Sequence, residues 1–250
     1  MSDPEGITAT TEDRVLDGNV ILHQPVSGYR AAIDPILLAA AVMARTGAQI
    51  LDLGAGVGTA SLCLSHRRPD LEIAALELQP SLAALAERNV VENQAANVTV
   101  TCADVFATPP AFPSQSFDLV MSNPPYWRAG DTRPSPDDIK RLATVEGPDG
   151  LPGWTRAASR LLRPDGTFVL IHSAERLSDI LSAGDACGLR SASVFPVWPK
   201  PGKAAKRVVV TLRRALKPDL ELLPGLVLHR DGGHYGEATE RILRGDRSLF

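Results

Sequence analysis

The chain has 250 residues, of which 44% are hydrophobic and 22% charged, and its net charge is −3. These values are typical of a globular α/β domain and exclude a chain that is basic throughout. No apolar run approaches the roughly 18 residues of a membrane-spanning helix, and the start lacks the pattern of a signal peptide. We therefore expect a cytoplasmic protein without a membrane partner. The three cysteines form no CxxC pair and the histidines are scattered, so we expect no metal site.

The N-terminal part of the chain predicts little regular structure. Residues 1–14 are polar and we expect them to be frayed, whereas residues 19–22 can form a short strand. Pro35 fits the first turn of a helix, and Asp34 in front of it fits the N-cap position. The apolar residues 36–43 continue this predicted helix.

From residue 49 onward, apolar strands alternate with amphipathic helices, which predicts one domain over residues 46–250 with residues 1–45 as a short extension packed on it. Strands that alternate with helices form a mostly parallel sheet with helices on both faces. We therefore predict an α/β fold with a seven-stranded sheet, whose ligands bind beyond the carboxyl ends of the strands. The predicted strands are residues 50–53, 73–78, 98–101, 117–122, 167–172, 194–197 and 208–212, and the predicted helices are residues 59–66, 80–93, 154–162 and 177–186.

A glycine-rich turn over residues 54–58 follows the first of these strands and opens a helix. Glycine tolerates positive φ and lets a ligand approach the backbone closely. The spacing G-x-G-x-G differs from the dinucleotide pattern G-x-G-x-x-G, which binds a pyrophosphate at the helix N-terminus. Asp52 precedes the turn and would repel an anion, so a zwitterionic ligand with an ammonium group fits better than NAD. The alternative is a tight turn without a ligand.

Two further acids end the next two predicted strands. Glu77 lies about twenty residues beyond the glycine turn, where a carboxylate can accept both hydroxyls of a ribose. Asp104 ends the third strand, where its side chain or the next backbone amide, that of Val105, can meet the edge of an adenine. Each acid alone could be a solvated strand end, but the three acids together predict a ligand that carries adenosine.

The segment Asn123-Pro124-Pro125-Tyr126 runs off the fourth strand. Its two prolines stiffen the backbone and remove two N–H donors, so the carbonyls can face a substrate. The Asn123 side chain and the Pro124 carbonyl are then two acceptors for the two N–H groups of an exocyclic amine. The Tyr126 ring can stack on the base that carries the amine. We predict Asn123, Pro124 and Tyr126 as catalytic residues, with a merely rigid turn as the alternative.

Seven basic residues crowd the stretch 200–217, and no acid follows before Asp219. Such a run is either a solvated surface or a local footprint for phosphates. The stretch 127–150 has no clear periodicity and is rich in proline, glycine and aspartate, and loops of this length are usually functional or disordered.

The glycine turn and the Asn-Pro-Pro-Tyr segment together resemble the class I S-adenosylmethionine-dependent methyltransferases that carry an Asn/Asp-Pro-Pro-Tyr motif. That group includes DNA and RNA adenine-N6 enzymes, rRNA guanine-N2 enzymes and glutamine-N5 enzymes that act on release factors. The two ends of the chain resemble the bacterial tRNA1(Val) adenine-37 N6-methyltransferase family, on the basis of Gln24-Pro25, Gly28-Tyr29-Arg30, Asp34, Leu37-Leu38-Ala39, Leu228-His229 and Gly233-His234-Tyr235-Gly236.

This resemblance implies a Rossmann-like fold, S-adenosylmethionine as the cofactor, tRNA as the partner and adenine N6 as the expected target. It also places the region around residues 29–34 beside the cofactor. The expected cofactor contacts are Tyr29, Arg30, Asp34, Asp52, Gly54, Ala55, Gly56, Gly58, Glu77, Leu78, Asp104, Val105 and Asn123. The expected substrate contacts beside the catalytic residues are Pro125, Trp127, Lys200, Lys203, Lys206 and Arg207.

The sequence leaves other substrates open. After Tyr126, relatives have a basic, histidine-containing segment, whereas this chain has several acids over residues 131–150. A protein glutamine methyltransferase has the same motif with a separate N-terminal helical domain, for which the 45 residues in front of the glycine strand are too few. An rRNA guanine-N2 enzyme and a non-catalytic S-adenosylmethionine-binding protein are the remaining alternatives.

Overall fold

The computed structural model describes residues 9–26, 30, 32–104, 106, 112–126 and 149–250, in which one large sheet is covered by helices. The strands are β1 (Thr10–Val15), β2 (Val20–Pro25), β3 (Gln49–Leu53), β4 (Glu72–Glu77), β5 (Val98–Cys102), β6 (Phe117–Ser122), β7 (Leu162–Ser173), β8 (Ser191–Trp198), β9 (Arg207–Arg213), β10 (Asp219–Leu222) and β11 (Leu226–Val227). The helices are α1 (Asp34–Ala40), α2 (Thr59–Arg67), α3 (Pro80–Glu92), α4 (Gly150–Leu161), α5 (Leu177–Ala186) and α6 (Glu237–Arg244), with a 3₁₀ turn at Ala174–Arg176. None of these helices in the described part of the chain has the length and apolar character needed to cross a bilayer.

The large sheet has the strand order β10-β8-β9-β7-β6-β3-β4-β5, and β11 follows β10 along the same edge of β8. Its strands are parallel except β9, which runs antiparallel to both β7 and β8. The mostly parallel sheet is therefore confirmed, but the predicted number of seven strands is wrong, because β10 and β11 add two more. All four residues of β10 are exposed, so this strand has no buried face that an apolar pattern could reveal.

The central strands are apolar on both faces because helices cover both sides of the sheet. Successive residues of a strand point to opposite faces. Ile50 and Val169 belong to one buried cluster, to which α1, α2 and α6 contribute. Leu51 and Leu170, the next residues in the same strands, belong to a second buried cluster completed by α4 and α5. Strands buried on both faces appear in a sequence as continuous hydrophobic runs, which is why these were predictable.

The N-terminal extension contains a β1–β2 hairpin that two asparagines fasten to α3. Asn89 is fully buried, accepts the N–H of His23 at 2.8 Å, and donates to the carbonyls of His23 at 3.1 Å and Val57 at 3.0 Å. Asn93 likewise accepts the N–H of Ile21 at 2.8 Å and donates to its carbonyl at 2.6 Å. The side-chain amides of Asn89 and Asn93 make the hydrogen bonds that a neighbouring strand would make with β2. Asn89 also joins the hairpin to the glycine turn, because it donates to the carbonyl of Val57. The division at residue 45 stays a prediction.

Several predicted boundaries differ from the structure. Residues 10–15 form β1 instead of being frayed. Asp34 is the first residue of α1 and not its N-cap, since Ile33 holds that position and no side chain caps the helix. Strand β7 begins at Leu162, five residues earlier than predicted, because Leu162 pairs with Phe117 of β6. A shift in register after Phe117 then accommodates the irregular sequence around Gly166.

We predict that Asn89→Ala lowers the free energy of unfolding by on the order of 2–4 kcal/mol, because it leaves buried backbone groups of His23 and Val57 without their partner. Urea unfolding measures the change. Glu87→Ala on the exposed face of the same helix is the control, and we expect it to change stability by less than about 0.5 kcal/mol. Equal effects of the two variants would contradict this role of Asn89.

Candidate active site

The glycine turn folds over the end of β3 with a backbone that other residues rarely adopt. Gly54, Gly56 and Gly58 have φ values of 79°, 59° and 83°. The N–H of Gly54 donates to the carbonyl of Leu76 on β4 at 2.9 Å, which holds the turn against the neighbouring strand. A Cβ on Gly54 would lie 2.5 Å from a ring carbon of Trp154, whereas a Cβ on Gly56 would meet no described heavy atom within 4 Å. Position 54 therefore needs glycine for packing, while the backbone at position 56 is open to a ligand.

Two buried carboxylates lie at the ends of β3 and β4 beside this turn. Asp52 accepts the hydroxyl of Ser61 at 2.7 Å, and burial, with a smaller effect from Glu77, raises the pKa of Asp52 to about 6. Glu77 accepts the N–H of Gly56 at 2.8 Å with one oxygen and the N–H of Gln79 at 2.8 Å with the other. Burial also raises the pKa of Glu77. Both acids are costly to charge in this setting, and a positively charged ligand would relieve that cost.

The third predicted acid, Asp104, lies just beyond β5 and is exposed. Its carboxylate accepts the N–H of Phe106 at 2.8 Å, which orients the chain after the strand. The Phe106 ring meets Trp154 edge to face, with ring centroids 5.9 Å apart, and Trp154 in turn contacts Gly54. Neither aromatic residue was predicted as part of the site. Phe106 lies two positions after Asp104, and an aromatic residue at that place was an available signal for a flat ligand.

The Asn-Pro-Pro-Tyr segment leaves β6, which lies between β3 and β7, at the same edge of the sheet as the glycine turn. The Ser122 hydroxyl donates to the Leu53 carbonyl at 2.7 Å and so ties the end of β6 to the end of β3. The carbonyl of Pro125 lies 3.2 Å from Nε2 of His172, and the carbonyl of Tyr126 accepts from Arg176 at 3.4 Å. The carbonyls of these two residues therefore bind side chains from distant parts of the protein, whereas the sequence predicts that the carbonyls of this segment can face a substrate.

His172, at the carboxyl end of β7, is fully buried and holds the motif in place. Its Nδ1 accepts the N–H of Ser173 at 2.8 Å, so its proton lies on Nε2, which donates to the Pro125 carbonyl. Its ring also packs on the Tyr126 ring, with centroids 4.6 Å apart. Burial lowers the pKa of His172 to about 4, so the imidazole is neutral at neutral pH. His172 was not predicted as a site residue, although a histidine at the carboxyl end of a parallel strand was a usable signal.

Asp34 and Arg207 hold the other side of the motif tyrosine. The Tyr126 hydroxyl donates to the Asp34 carboxylate at 2.9 Å, and Nε of Arg207 donates to the two oxygens of the same carboxylate at 3.1 and 2.9 Å. The Arg207 guanidinium carbon lies 5.6 Å from the centre of the Tyr126 ring. We name Asp34, His172 and Arg207 the tyrosine clamp. Asp34 was predicted to contact the cofactor and Arg207 the RNA, but the charges of these two residues bind each other in the clamp.

The remaining predicted cofactor contacts are distributed around the turn and the hairpin. The N–H of Ala55 donates to the Leu76 carbonyl at 2.9 Å, Gly58 is the N-cap of α2, and Leu78 is exposed just after β4. Arg30 donates to the hydroxyl of Thr11 and to the carbonyl of Pro25, so its guanidinium binds the hairpin. Tyr29, Val105, Trp127 and most of the stretch 127–150 lie outside the described residues.

The basic stretch does not form a single surface, because β9 separates its two halves. Arg207 is paired with Ser173 at the carboxyl end of β7, and Arg213 is paired with Thr167 near the opposite end. The strand between them spans roughly 20 Å. The exposed residues Lys200, Lys203 and Lys206 therefore lie with Arg207 on the edge of the motif, and Arg213, Arg214 and Lys217 lie on the opposite edge.

Comparisons with known proteins extend these observations. Residues 32–137 match the family described as MTS, Methyltransferase small domain. A tRNA1(Val) (adenine(37)-N6)-methyltransferase from Actinobacillus pleuropneumoniae is 31% identical over 218 residues, which are 84% of this chain and 87% of that protein. A release factor glutamine methyltransferase from Salmonella typhimurium is 36% identical over 130 residues, but the match spans 50% of this chain and less than half, 46%, of that protein. The crystal structure of a predicted O-methyltransferase from Agrobacterium tumefaciens superimposes with a TM-score of 0.70 at 26% identity, and the match covers 86% of this chain and 97% of that one.

We predict that Gly54→Ala abolishes measurable binding of S-adenosylmethionine, the cofactor expected from the sequence, and lowers the melting temperature, because the new methyl group meets Trp154 in a backbone with φ of 79°. Calorimetric titration and thermal unfolding measure the two effects. Gly47→Ala is the matched control, since φ is 71° there but no described atom lies within 4 Å of the Cβ position. If Gly54→Ala binds S-adenosylmethionine with the same affinity as Gly47→Ala, the proposed packing constraint at position 54 is wrong.

We predict that the stability of the wild-type protein falls relative to that of His172→Gln between pH 6.5 and pH 4. In this window the unfolded chain binds a proton at His172 and the folded protein does not, so the contribution of His172 to stability falls as the pH falls. The loss is on the order of 3 kcal/mol. Urea unfolding at several pH values measures it, and His66→Gln at an exposed position should keep the wild-type pH dependence. Identical pH profiles for wild type and His172→Gln would contradict this interpretation.

Proposed function

Because this chain belongs to the tRNA1(Val) (adenine(37)-N6)-methyltransferase family and is an S-adenosylmethionine-dependent methyltransferase, we propose that its substrate is the N6 amine of an adenine in tRNA. The family, the Rossmann-like fold and the cofactor expected from the sequence are confirmed. The observation that carries the substrate proposal is that Asn123-Pro124-Pro125-Tyr126 lies beside the glycine turn, with the preceding Ser122 bonded to β3 and Pro125 bonded to β7.

The residues around the glycine turn fit S-adenosylmethionine. The open backbone at Gly56 admits a ligand, and the buried carboxylates of Asp52 and Glu77 favour a positively charged group over a phosphate. In this proposal Glu77 accepts the ribose hydroxyls, and Asp104 with Phe106 borders the adenine. When bound, S-adenosylmethionine supplies a methyl group on a positively charged sulfur, which is the electrophile of the reaction.

The motif orients the amine of the substrate. The side-chain oxygen of Asn123 and the carbonyl of Pro124 accept its two N–H groups, so the nitrogen lone pair points toward the methyl group. The carbonyls of Pro125 and Tyr126 have donors from His172 and Arg176, which fixes the two peptide planes that follow this acceptor pair in the chain. The nitrogen becomes positive on transfer and then releases one proton to water, so no charged base is needed. Orientation of this kind can lower a barrier by about 7–11 kcal/mol.

The tyrosine clamp holds the Tyr126 ring in a fixed orientation before a base stacks on it. A free tyrosine side chain loses rotational freedom when a base stacks on it, and this cost reduces affinity. Here the Asp34 carboxylate holds the hydroxyl and His172 packs on the ring, so the ring orientation is set in advance. Base stacking on such a ring contributes about 1–3 kcal/mol.

Protein glutamine N5 is the second candidate substrate, and a specific observation favours it. The identity with the release factor glutamine methyltransferase, 36%, exceeds that with the tRNA enzyme, 31%. The longer match with the tRNA enzyme, over 84% of this chain, is the reason that we favour RNA.

The proposal is tested by incubating the purified chain with methyl-labelled S-adenosylmethionine and total tRNA from a strain that lacks the gene. We expect label in tRNA, recovered as N6-methyladenosine after digestion to nucleosides. A parallel reaction contains release factors in place of tRNA. Label in the protein and none in tRNA would replace the proposal with the glutamine alternative, and label in another nucleoside would overturn the adenine assignment.

We predict that Asn123→Ala lowers kcat by about 100-fold, because one of the two acceptors that orient the amine is lost. Tyr126→Phe keeps the ring and loses only the hydrogen bond to Asp34, so kcat should fall by roughly three- to tenfold. Single-turnover methylation of tRNA measures both. Lys217→Ala on the opposite edge is the control and should match the wild type. An unchanged kcat for Asn123→Ala would exclude Asn123 as a catalytic residue.

A further inference from the structure

Two surface segments at the active-site edge take no part in the glycine turn or the motif. The first is the lysine turn, residues 199–206, which joins β8 to β9. The second is the C-terminal turn, residues 229–235, which follows β11. Along the sheet edge, Ser173 of β7 is paired with Arg207, Arg207 with Val197 of β8, and Val197 with Leu226 of β11. Three strand spacings of about 4.8 Å separate β11 from β7, so β11 lies roughly 15 Å from the strand whose His172 contacts the motif.

The two turns are joined by hydrogen bonds. The N–H groups of Leu228 and His229 donate to the carbonyls of Trp198 at 2.8 Å and Pro199 at 3.2 Å. The His229 ring adds a second bond, because its Nδ1 donates to the Pro199 carbonyl at 3.0 Å. The lysine turn and the C-terminal turn therefore form one continuous surface in the described structure.

An aromatic pair lies at the centre of the C-terminal turn. The rings of His229 and Tyr235 are stacked, with centroids 4.8 Å apart and planes inclined by 24°. The N–H of Arg230 donates to the carbonyl of His234 at 2.9 Å and closes the turn below the rings. The bond from His229 to Pro199 fixes one ring, and the stack in turn orients Tyr235, of which 39% is exposed. An oriented and exposed tyrosine ring whose turn is bonded to the lysine turn is a surface on which an unpaired base can stack.

Tyr235 also borders the N-terminal extension. It lines a cleft of about 400 Å³ together with Arg30 and Ile33. Ile33 directly precedes Asp34, whose carboxylate binds the motif tyrosine. The C-terminal turn is thus next to the N-terminal extension as well as to the lysine turn.

We propose that the lysine turn and the C-terminal turn form the surface that docks the substrate RNA, with Tyr235 as a stacking platform for an unpaired nucleotide next to the target adenine. This proposal rests on the proposed function. Lys200, Lys203 and Lys206 are exposed and contact the phosphates, while Tyr235, held by His229, stacks on the base. RNA loops are recognised in this combined way, because their bases are unstacked and available to aromatic side chains while the backbone stays charged. Because the net charge of the chain is −3, the molecule as a whole does not attract RNA, and the place where RNA binds depends on where these lysines lie.

The lysine contribution is tested by measuring methylation kinetics with total tRNA from a strain that lacks the gene. The double variant Lys203→Ala/Lys206→Ala should raise KM for tRNA by about tenfold and lower the slope of log affinity against log salt by about two. The matched control Arg213→Ala/Lys217→Ala removes the same charge from the opposite edge and should leave both quantities unchanged. An equal rise in KM for the two double variants would overturn the proposed location.

The stacking contribution is tested with Tyr235→Ala and Tyr235→Phe. Tyr235→Ala should raise KM for tRNA by about tenfold at unchanged kcat, while Tyr235→Phe, which keeps the ring, should restore the wild-type KM. Affinity for S-adenosylmethionine and the melting temperature should stay at wild-type values, which shows that the fold is intact. A wild-type KM for Tyr235→Ala overturns the stacking platform alone, because methylation of tRNA by the wild type still supports the proposed function. If the wild type transfers no methyl group to tRNA at all, the proposed function itself fails.

Discussion

The buried carboxylate of Asp34 joins three segments that are distant in the chain. It accepts the hydroxyl of Tyr126 from the motif and the guanidinium of Arg207 from β9. A buried polar group without partners is costly, so these contacts stabilise the Asp34 carboxylate at this place. The same contacts position the tyrosine ring, the first turn of α1 and the start of β9 relative to one another. The relative positions of Tyr126, α1 and β9 at the active-site edge therefore depend on the contacts of the Asp34 carboxylate.

A second constraint acts on the cofactor side. Asp52 and Glu77 are buried at the ends of adjacent strands, and burial raises the pKa of each. Backbone N–H donors from the glycine turn partly offset this cost at Glu77. The site is therefore prepared for a ligand that brings positive charge and hydroxyl donors and lacks phosphates. This description fits the cofactor of the family better than a dinucleotide.

The single antiparallel strand determines what surrounds the chemistry. Because β9 runs opposite to its neighbours, the turn between β8 and β9 lies at the carboxyl edge of the parallel strands, beside the motif. The segment that pairs along the outer edge of β8 then brings the C-terminal turn to the same place. The proposed RNA surface, the tyrosine clamp and the glycine turn are all on one edge as a result. In the proposed function, the turns of the C-terminal part of the chain form the RNA surface, and the ends of β3 and β4 form the cofactor side.

The seven main strands, the glycine turn with its acids and the Asn-Pro-Pro-Tyr segment were predictable from the sequence. These features depend on local patterns, since strands such as Gln49–Leu53 are buried on both faces and positions 54, 56 and 58 have the positive φ that favours glycine. Which groups meet depends on the tertiary structure. His172 becomes part of the site because β7 lies next to β6, and the basic stretch divides because β9 is antiparallel. Strand β10 was not predictable because all of its residues are exposed, so it has no apolar pattern. The partners of Asp34 were not predictable either, because the contacts between residues 34, 126 and 207 depend on how the whole sheet assembles.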